Sequence, residues 1–265
     1  MFTNLSNHPS SGWPEEQYSY ASSRWGRISD LPFPVLNPDK SEEEILQLVK
    51  KYLNLLPPKE EGPVFVAGEY TFTYAMVDAL LRFGFRAMYV QSENIVRSAA
   101  LTDGRSERTM QYHFVRFADY ERIPGEFEVM DDFEPVFLNC SFRYASSGWD
   151  QEARRQASCY GRILDLPRPP ITGTREERFE KVGEYLREID RVRPSAVLLD
   201  GEFGTFFLMA DALLRKGYRV LVKCSERRSR DKTDQEGNVT KISEYRFVRY
   251  RHIAALTFET QELES

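Results

Sequence analysis

Polar side chains suited to phosphate binding and proton transfer occur in a segment that the sequence contains twice. Hydroxyl and amide groups hydrogen-bond phosphate and ribose oxygens, and an imidazole in a loop can act as a general acid or base. For His8 the alternative is an ordinary turn histidine, and the copy of the segment has no histidine. The candidates are Asn4, Ser6, Asn7, His8, Ser10 and Ser11, and in the copy Asn139, Ser141, Ser146 and Ser147.

A second duplicated pattern places a glycine and an acid before an apolar helical run. It reads Gly68-Glu69-Tyr70-Thr71 in the first half and Gly201-Glu202-Phe203-Gly204-Thr205 in the second. Free N–H groups and the helix dipole at such a position favour an anion such as phosphate. Alternatively, each glutamate caps its helix by accepting those N–H groups. The sequence leaves both interpretations open. It contains no G-x-G-x-x-G and no Walker A pattern, which disfavours the common dinucleotide and nucleoside-triphosphate sites.

The most basic segment is Ser225-Glu226-Arg227-Arg228-Ser229-Arg230. Its guanidinium groups are suited to clamp phosphates through paired hydrogen bonds. Alternatively, it is a solvated hairpin whose strand edge is protected by charge. We favour ligand contact because the segment follows a predicted strand directly, at the end where open α/β sheets bind ligands. Its copy, which begins Ser92-Glu93 and reaches Arg97, has lost most of the charge.

These segments belong to a duplication that runs through the whole chain. Trp25-Gly26-Arg27-Ile28 returns as Tyr160-Gly161-Arg162-Ile163, and Asp78-Ala79-Leu80-Leu81-Arg82 returns as Asp211-Ala212-Leu213-Leu214-Arg215. Such repetition indicates two copies of one structural unit. We predict a first repeat at residues 1–123, a linker at 124–135, a second repeat at 136–254 and a tail at 255–265.

Within each repeat, short apolar strands alternate with helical stripes. Capping boxes at Ser41 and Thr174 start the second helices. Residues 86–90 and 219–223 are predicted as fourth strands, each followed by a separate hairpin around Asp103-Gly104 or Glu236-Gly237. Alternating strands and helices imply a mostly parallel sheet with helices on both faces. The predicted fold class is therefore α/β, with two tandem Rossmann-like domains, each ending in a β-hairpin.

The linker limits how far apart the repeats can lie. A flexible segment of its length reaches about 20 Å, which is less than the width of such a domain. We therefore expect the copies side by side, as a pseudo-two-fold pair that resembles a homodimer.

Bulk properties narrow the function classes. A formal charge of −5 argues against a protein that coats long nucleic acid. Cys140, Cys159 and Cys224 are odd in number and lack C-x-x-C spacing, so we predict neither disulfides nor a metal site, and no cofactor. The sequence shows neither a membrane-length apolar run nor a leader pattern, and a cytoplasmic location is the expectation.

Three segments resemble those of CARF domains, the CRISPR-associated Rossmann-fold sensors. They are Asn4-Leu5-Ser6, Asn139-Cys140-Ser141 and Ser225-Glu226-Arg227-Arg228, placed after the first and fourth predicted strands. The resemblance covers both halves. It implies a pair of domains that hold a cyclic oligoadenylate between them, as in CARF proteins and the small ring nucleases that cleave this second messenger without metal.

The resemblance also implies roles for the candidate residues. In-line attack by a ribose 2′-hydroxyl is chiefly a positioning task, aided by cations on the developing oxyanion. Arg227, Arg228 and Ser225 would stabilise that charge, and His8, Glu69 or Glu202 would supply an acid. The expected partner is a small cyclic oligonucleotide, bound by one chain acting as a pseudo-dimer or by a further homodimer. The alternatives are a non-catalytic sensor or sponge and a partner-binding structural protein.

Overall fold

The computed structural model describes residues 1–100, 106–141, 145–167, 171, 173–233 and 239–254, with only the backbone described at 94–100, 106–112, 227–233 and 239–244. The first half contains β1 (Phe2–Ser6), α1 (Glu15–Trp25), β2 (Ile28–Asp30), α2 (Glu42–Leu53), β3 (Val64–Ala67), α3 (Tyr70–Arg82), β4 (Ala87–Ala100) and β5 (Ser106–Asp119). The second half contains β6 (Glu134–Cys140), α4 (Gln151–Ser158), β7 (Arg162–Asp165), α5 (Arg175–Val192), β8 (Pro194–Leu199), α6 (Phe203–Arg215), β9 (Val220–Thr233) and β10 (Val239–His252).

Each half forms one five-stranded sheet, which confirms the predicted fold class. The strand orders are β2-β1-β3-β4-β5 and β7-β6-β8-β9-β10. All neighbouring pairs are parallel except the β4–β5 and β9–β10 hairpins. The order reverses between β1 and β3, and again between β6 and β8. These are the two switch points at which an open α/β sheet offers a ligand crevice.

The fourth strands differ from their prediction. β4 does not end at residue 90, because it continues as a 14-residue strand paired with β5, with a bulge between Gln91 and Ser92. β9 likewise extends from Val220 to Thr233. The polar alternation that suggested separate hairpin strands is typical of an antiparallel ribbon solvated on one face. Since β4 pairs with β3 only at Ala87 and Met88, most of the ribbon lies beyond the sheet.

The predicted helix starts are confirmed. The Ser41 hydroxyl accepts the Glu44 N–H at 3.2 Å, and the Glu44 carboxylate accepts the Ser41 N–H at 2.8 Å. Thr174 and Glu177 form the same reciprocal pair. Two N–H groups that lack intrahelical partners are satisfied at each of these ends.

The two halves lie side by side and share one core along α3 and α6. Equivalent residues of the two helices meet: the rings of Tyr70 and Phe203 are 5.3 Å apart, as are those of Tyr74 and Phe207. Each residue contacts its own equivalent, and the same is true four residues further along both helices. The helices must therefore run parallel, related by a pseudo-two-fold axis. The N-termini of both helices, and the carboxyl ends of β3 and β8, therefore point to the same side of the molecule.

A buried ionic bridge completes this seam. Arg122, which follows β5, donates to the carboxylates of Asp78 and Asp211, again equivalent residues. Both carboxylates are 1% exposed, and each also pairs with an arginine one turn later, Arg82 at 3.0 Å and Arg215 at 3.2 Å. Burial raises the pKa of Asp211, against the opposing attraction of Arg122 and Arg215. One guanidinium thus bridges two buried acids, one from each half.

Replacing Arg122 with Met should lower the free energy of unfolding by about 3–5 kcal/mol, because it leaves two carboxylates buried beside fewer cations. Chemical denaturation measures this loss. The control is Arg86→Met, which breaks the exposed pair of Arg86 with Asp119 and should cost at most about 1 kcal/mol. Adding Asp78→Asn and Asp211→Asn to Arg122→Met should recover stability. Equal losses for Arg122→Met and Arg86→Met would contradict a dominant buried bridge.

Candidate functional site

The duplicated asparagine and serine segments form a brace after the first strand of each half. The Asn4 amide donates to Asp30 Oδ1 at 2.6 Å, and Ser10 donates to the same carboxylate from its N–H at 3.0 Å and its hydroxyl at 2.7 Å. In the second half, Asn139 and Ser146 hold Asp165 in the same way. The repeated motif therefore ties the loop after β1 or β6 to the end of β2 or β7.

Both brace carboxylates are favoured as anions. Partial burial opposes ionisation of Asp30, but hydrogen bonds from Asn4 and Ser10 outweigh it and lower the pKa of the carboxyl. At Asp165, partial burial is likewise outweighed by hydrogen bonds from Asn139 and Ser146, which lower its pKa.

The loop after β1 uses the backbone of His8 and leaves its side chain on the surface. The His8 carbonyl accepts hydrogen bonds from Asn4 and Ser6 and from the Trp13 indole, each at 3.0 Å. The side chains of Asn7 and His8 are exposed, and so are those of Ser11 and Ser147. An acid or base role for His8 remains a prediction, and no bond of its ring to the brace is seen in the described residues.

Glu69 and Glu202 are helix caps. Glu69 accepts the Phe72 N–H at 3.0 Å, and Glu202 accepts the N–H groups of Gly204 and Thr205 at 2.9 Å each. The capping interpretation is therefore confirmed. The carboxylates occupy some of the N–H groups that a phosphate would need. The anion interpretation of these helix ends stays a prediction. An acid role for either glutamate stays a prediction, and the cap bonds count against it.

The glycine and the threonine of each cap segment have structural roles. A Cβ atom at Gly68 would lie only 2.3 Å from the ring of Phe33, so there is no room for a side chain. Gly201 has a φ of 116°, which favours glycine. The hydroxyls of Thr71 and Thr205 donate to the capping glutamates of their own helices. These duties explain the duplicated pattern without a ligand.

The two cap segments meet across the seam. The Tyr70 hydroxyl donates to the Gly201 carbonyl at 2.7 Å and accepts the Gly201 N–H at 3.1 Å. Residues 67–70 and 199–203 therefore lie next to each other on one side of the molecule, which we call the shared face. The loops after β1 and β6 border it, because the Asn7 N–H donates to the Ala67 carbonyl at 3.2 Å, and the Ser141 hydroxyl donates to Asp200 at 2.5 Å.

A buried arginine from the second half closes one flank of the shared face. Arg251, 3% exposed, donates to Thr71 Oγ1 at 3.2 Å and lies 3.4 Å from Glu69. Its other terminal nitrogen donates to the carbonyls of Asn37 and Pro38 at 2.9 and 2.7 Å. Cys224 lies nearby on β9, and burial raises the pKa of its thiol to about 11.

The opposite flank has different chemistry. The Arg178 side chain, 6% exposed, donates to the Tyr89 hydroxyl and pairs with Glu121 at 3.3 Å. Tyr89 also fills the space beside Gly204 at the start of α6. Burial raises the pKa of the Tyr89 phenol, and the Glu202 carboxylate adds to the shift. The halves are thus similar in fold but unequal in the side chains at their contact.

The basic segment lies within a ribbon and not in a loop. Ser225 and Glu226 belong to β9, where they pair with Phe247 and Arg246 of β10. Ser92 and Glu93 occupy the equivalent part of β4, paired with Phe114 and His113. The side chains of Arg227, Arg228 and Arg230 lie outside the described residues, so their predicted phosphate contacts stay predictions.

Two cavities among the described residues are lined mostly by residues outside the predicted site, of which Thr71 alone lines one of the two. A small cavity between the halves, about 10 Å³, is lined by Glu42, Ile45, Leu46, Thr71, His252 and Ala254. A larger surface cavity of about 480 Å³ lies along α5 and is lined by Glu184, Tyr185, Arg187, Glu188 and Arg191. In the same part of the chain, no group of three or more His, Cys, Asp or Glu side chains is arranged to hold a metal ion. None of the described helices has the length and apolar character needed to cross a membrane.

Sequence reasoning missed the residues that join the halves. Arg122 and Arg178 were not singled out, since an arginine in a polar linker or in a charged helix looks like surface. Arg251 belongs to a segment, residues 245–251, whose mixed faces indicated an edge strand or a strand at the interface between the halves. Asp78 and Asp211 carried a usable signal, because each is an acid inside an otherwise apolar helical stripe, duplicated at the same position. Asp200 carried none, since its equivalent in the first half is Ala67.

Comparison with known protein families gives a match. A family model described as "Uncharacterized protein MJ1673 family" matches residues 1–118 and 141–251, which together make up most of both halves. No curated protein matches the chain.

The brace predicts a pH dependence of stability. Because the pKa of Asp30 and of Asp165 is lowered below 3.8 in the folded state, their contribution is complete above that value and is lost as the pH falls through the lower folded pKa. Asp30→Asn and Asp165→Asn should each destabilise the protein by roughly 0.5–1 kcal/mol near neutral pH, a modest value because solvent screens these carboxylates. The difference in free energy of unfolding between each of these variants and the unsubstituted protein should shrink towards pH 3.

Denaturant unfolding at several pH values measures this dependence. Asp39→Asn, at an exposed turn, is the matched control and should behave like the unsubstituted protein. A constant difference between the brace variants and the unsubstituted protein from pH 7 to pH 3 would show that the brace carboxylates are not the titrating groups.

Proposed function

The chain belongs to the Uncharacterized protein MJ1673 family, and we propose that it binds a cyclic oligoadenylate at the shared face and cleaves it without a metal ion. The observation that carries this proposal is the parallel seam of α3 and α6. It brings the carboxyl ends of β3 and β8 together, and the Tyr70 hydroxyl donates a hydrogen bond to the Gly201 carbonyl at 2.7 Å. Two switch points related by a pseudo-two-fold axis suit a ligand that repeats its own groups around such an axis.

The ligand class follows from symmetry and charge. A cyclic oligoadenylate with an even number of units presents phosphates and riboses in pairs. The basic part of β9 supplies cations for phosphates, through Arg227, Arg228 and Arg230. The net charge of −5 favours a compact anion over a long polynucleotide, which calls for an extended basic surface.

Cleavage would proceed by attack of a ribose 2′-hydroxyl on the adjacent phosphorus. A protein contributes to this reaction mainly by holding the hydroxyl in line with the leaving oxygen. Cations beside the phosphate then stabilise the charge that develops on its oxygens. Arg227 and Arg228 are proposed for that role, with Ser225 as a further hydrogen-bond donor.

Binding is tested by thermal and chemical unfolding with cyclic tetra-adenylate and cyclic hexa-adenylate. Ligand at about a hundred times its dissociation constant should stabilise the fold by about 2.7 kcal/mol, and linear adenylates of equal length serve as controls. Incubation in excess EDTA should yield linear products. Tight binding with intact ligand would favour the sensor or sponge, and no stabilisation by either ring would overturn the proposal.

The proposed phosphate contacts are tested with a matched pair of variants. Arg227→Ala combined with Arg228→Ala should weaken binding of the cyclic ligand at least tenfold, since each lost charge-assisted bond is worth about 1.5–3 kcal/mol. Arg97→Ala, on the equivalent ribbon of the first half, should have a much smaller effect. Titration calorimetry or fluorescence anisotropy measures both, and equal effects would contradict unequal contributions from the two halves.

A further inference from the structure

The second switch point holds a hydroxyl and a carboxylate in contact. The Ser141 hydroxyl, just beyond β6, donates to Asp200 Oδ2 at 2.5 Å, just beyond β8. The Ser141 N–H donates to Asn139 Oδ1 at 3.1 Å, so the brace fixes this serine from its other side. Ser141 is 9% exposed, whereas Asp200 is only half-buried. A buried hydroxyl therefore orients a carboxylate that solvent reaches.

The first switch point lacks this pair. Ala67 stands where the second half has Asp200, and Ser6 is turned to its own loop. The Ser6 hydroxyl donates to the His8 carbonyl at 3.0 Å and accepts the His8 N–H at 3.2 Å. The two serines descend from the same position of the repeat, but only Ser141 orients an acid among the described residues.

The peptide that follows Asp200 is held by the other half. The Tyr70 hydroxyl forms hydrogen bonds with both the N–H and the carbonyl of Gly201. The Glu202 carboxylate accepts hydrogen bonds from two N–H groups at the start of α6. Asp200 is therefore anchored at its side chain and at the residue after it. A reacting group needs such fixed geometry, because small displacements cost large factors in rate.

We propose that Asp200 is the general base of the cleavage reaction and that Ser141 is the residue that positions it. This inference rests on the proposed function. Asp200 takes the proton of the ribose 2′-hydroxyl as that oxygen forms a bond to the adjacent phosphorus. The bond between phosphorus and the 5′-oxygen breaks, and the 5′-oxygen takes a proton from water. Asp200 then returns its proton to the hydroxide that is left. The products are a 2′,3′-cyclic phosphate and a 5′-hydroxyl, with no further reactant.

Only one of the two switch points then carries a general base. A two-fold ligand presents scissile linkages to both switch points, but the first has alanine where the second has the base. Only linkages seated against the second half are cut, and a second cut requires the linear product to turn or to dissociate and bind again. A symmetric ring therefore yields a full-length linear product first.

The test compares Asp200→Asn with the unsubstituted full-length chain on cyclic tetra-adenylate. A positioned base contributes about 100-fold to 10,000-fold to a rate, so single-turnover cleavage should fall at least 100-fold while the dissociation constant changes less than threefold. Asp132→Asn, which alters an exposed pair with Arg193, is the control and should cleave at the full rate. Melting temperatures are compared for all variants.

Ser141 supplies an independent arm should Asp200→Asn not fold. Ser141→Ala should lower kcat at least tenfold with KM nearly unchanged, and Ser141→Thr, which keeps the hydroxyl, should recover most of the rate. A purely structural role would instead lower the melting temperature without this split between kcat and KM. Cyclic tetra-deoxyadenylate, which lacks the 2′-hydroxyl, should not be cleaved.

The outcomes separate the two proposals. If the unsubstituted chain binds and cleaves the ring while Asp200→Asn cleaves equally fast, the assignment of the base is wrong and the proposed function stands. Cleavage of the deoxy ring, or binding without any cleavage, would also overturn the assignment. If the unsubstituted chain does not bind the ring, the proposed function itself fails.

Discussion

One guanidinium between two buried carboxylates is the constraint on which the arrangement of the halves depends. Asp78 and Asp211 lie inside apolar helices at 1% exposure, where an unpaired charge would cost several kcal/mol. Arg122 contacts both, and it can do so only if these two aspartates lie next to each other across the seam. The bridge thus selects one docking geometry among those that would bury a similar apolar area, an effect on specificity more than on net stability.

That geometry supports the proposed function. Parallel helices place both strand-end regions on one side, so that Tyr70 of one half reaches Gly201 of the other. The same seam forces each half to accommodate its neighbour. Arg251 reaches the cap of α3, and Tyr89 packs against the start of α6. These contacts are not equivalent, because a fused pair, unlike a true homodimer, is free to change one copy alone.

Duplication has preserved structural residues more evenly than the ones proposed for chemistry. The brace of Asn4, Ser10 and Asp30 recurs in full in the second half, and so do the capping glutamates. Both copies must fold, so both retain the groups that tie loops and satisfy helix ends. Asp200 occurs in one half alone, as does the strongly basic part of β9. A composite site needs each such group once.

The sequence by itself determined the duplication, the order of strands and helices along the chain, and the capping boxes. Those features depend on contacts between residues close in the chain, or on a period that repeats within one element. The tertiary structure decided that Glu69 and Glu202 serve as caps, that β4 continues into its ribbon, and that Arg122 joins the halves. It also decided which of two equivalent serines faces an acid. Each of these depends on a partner far away in sequence, and the energy of a buried charge or hydrogen bond is settled only when that partner is in place.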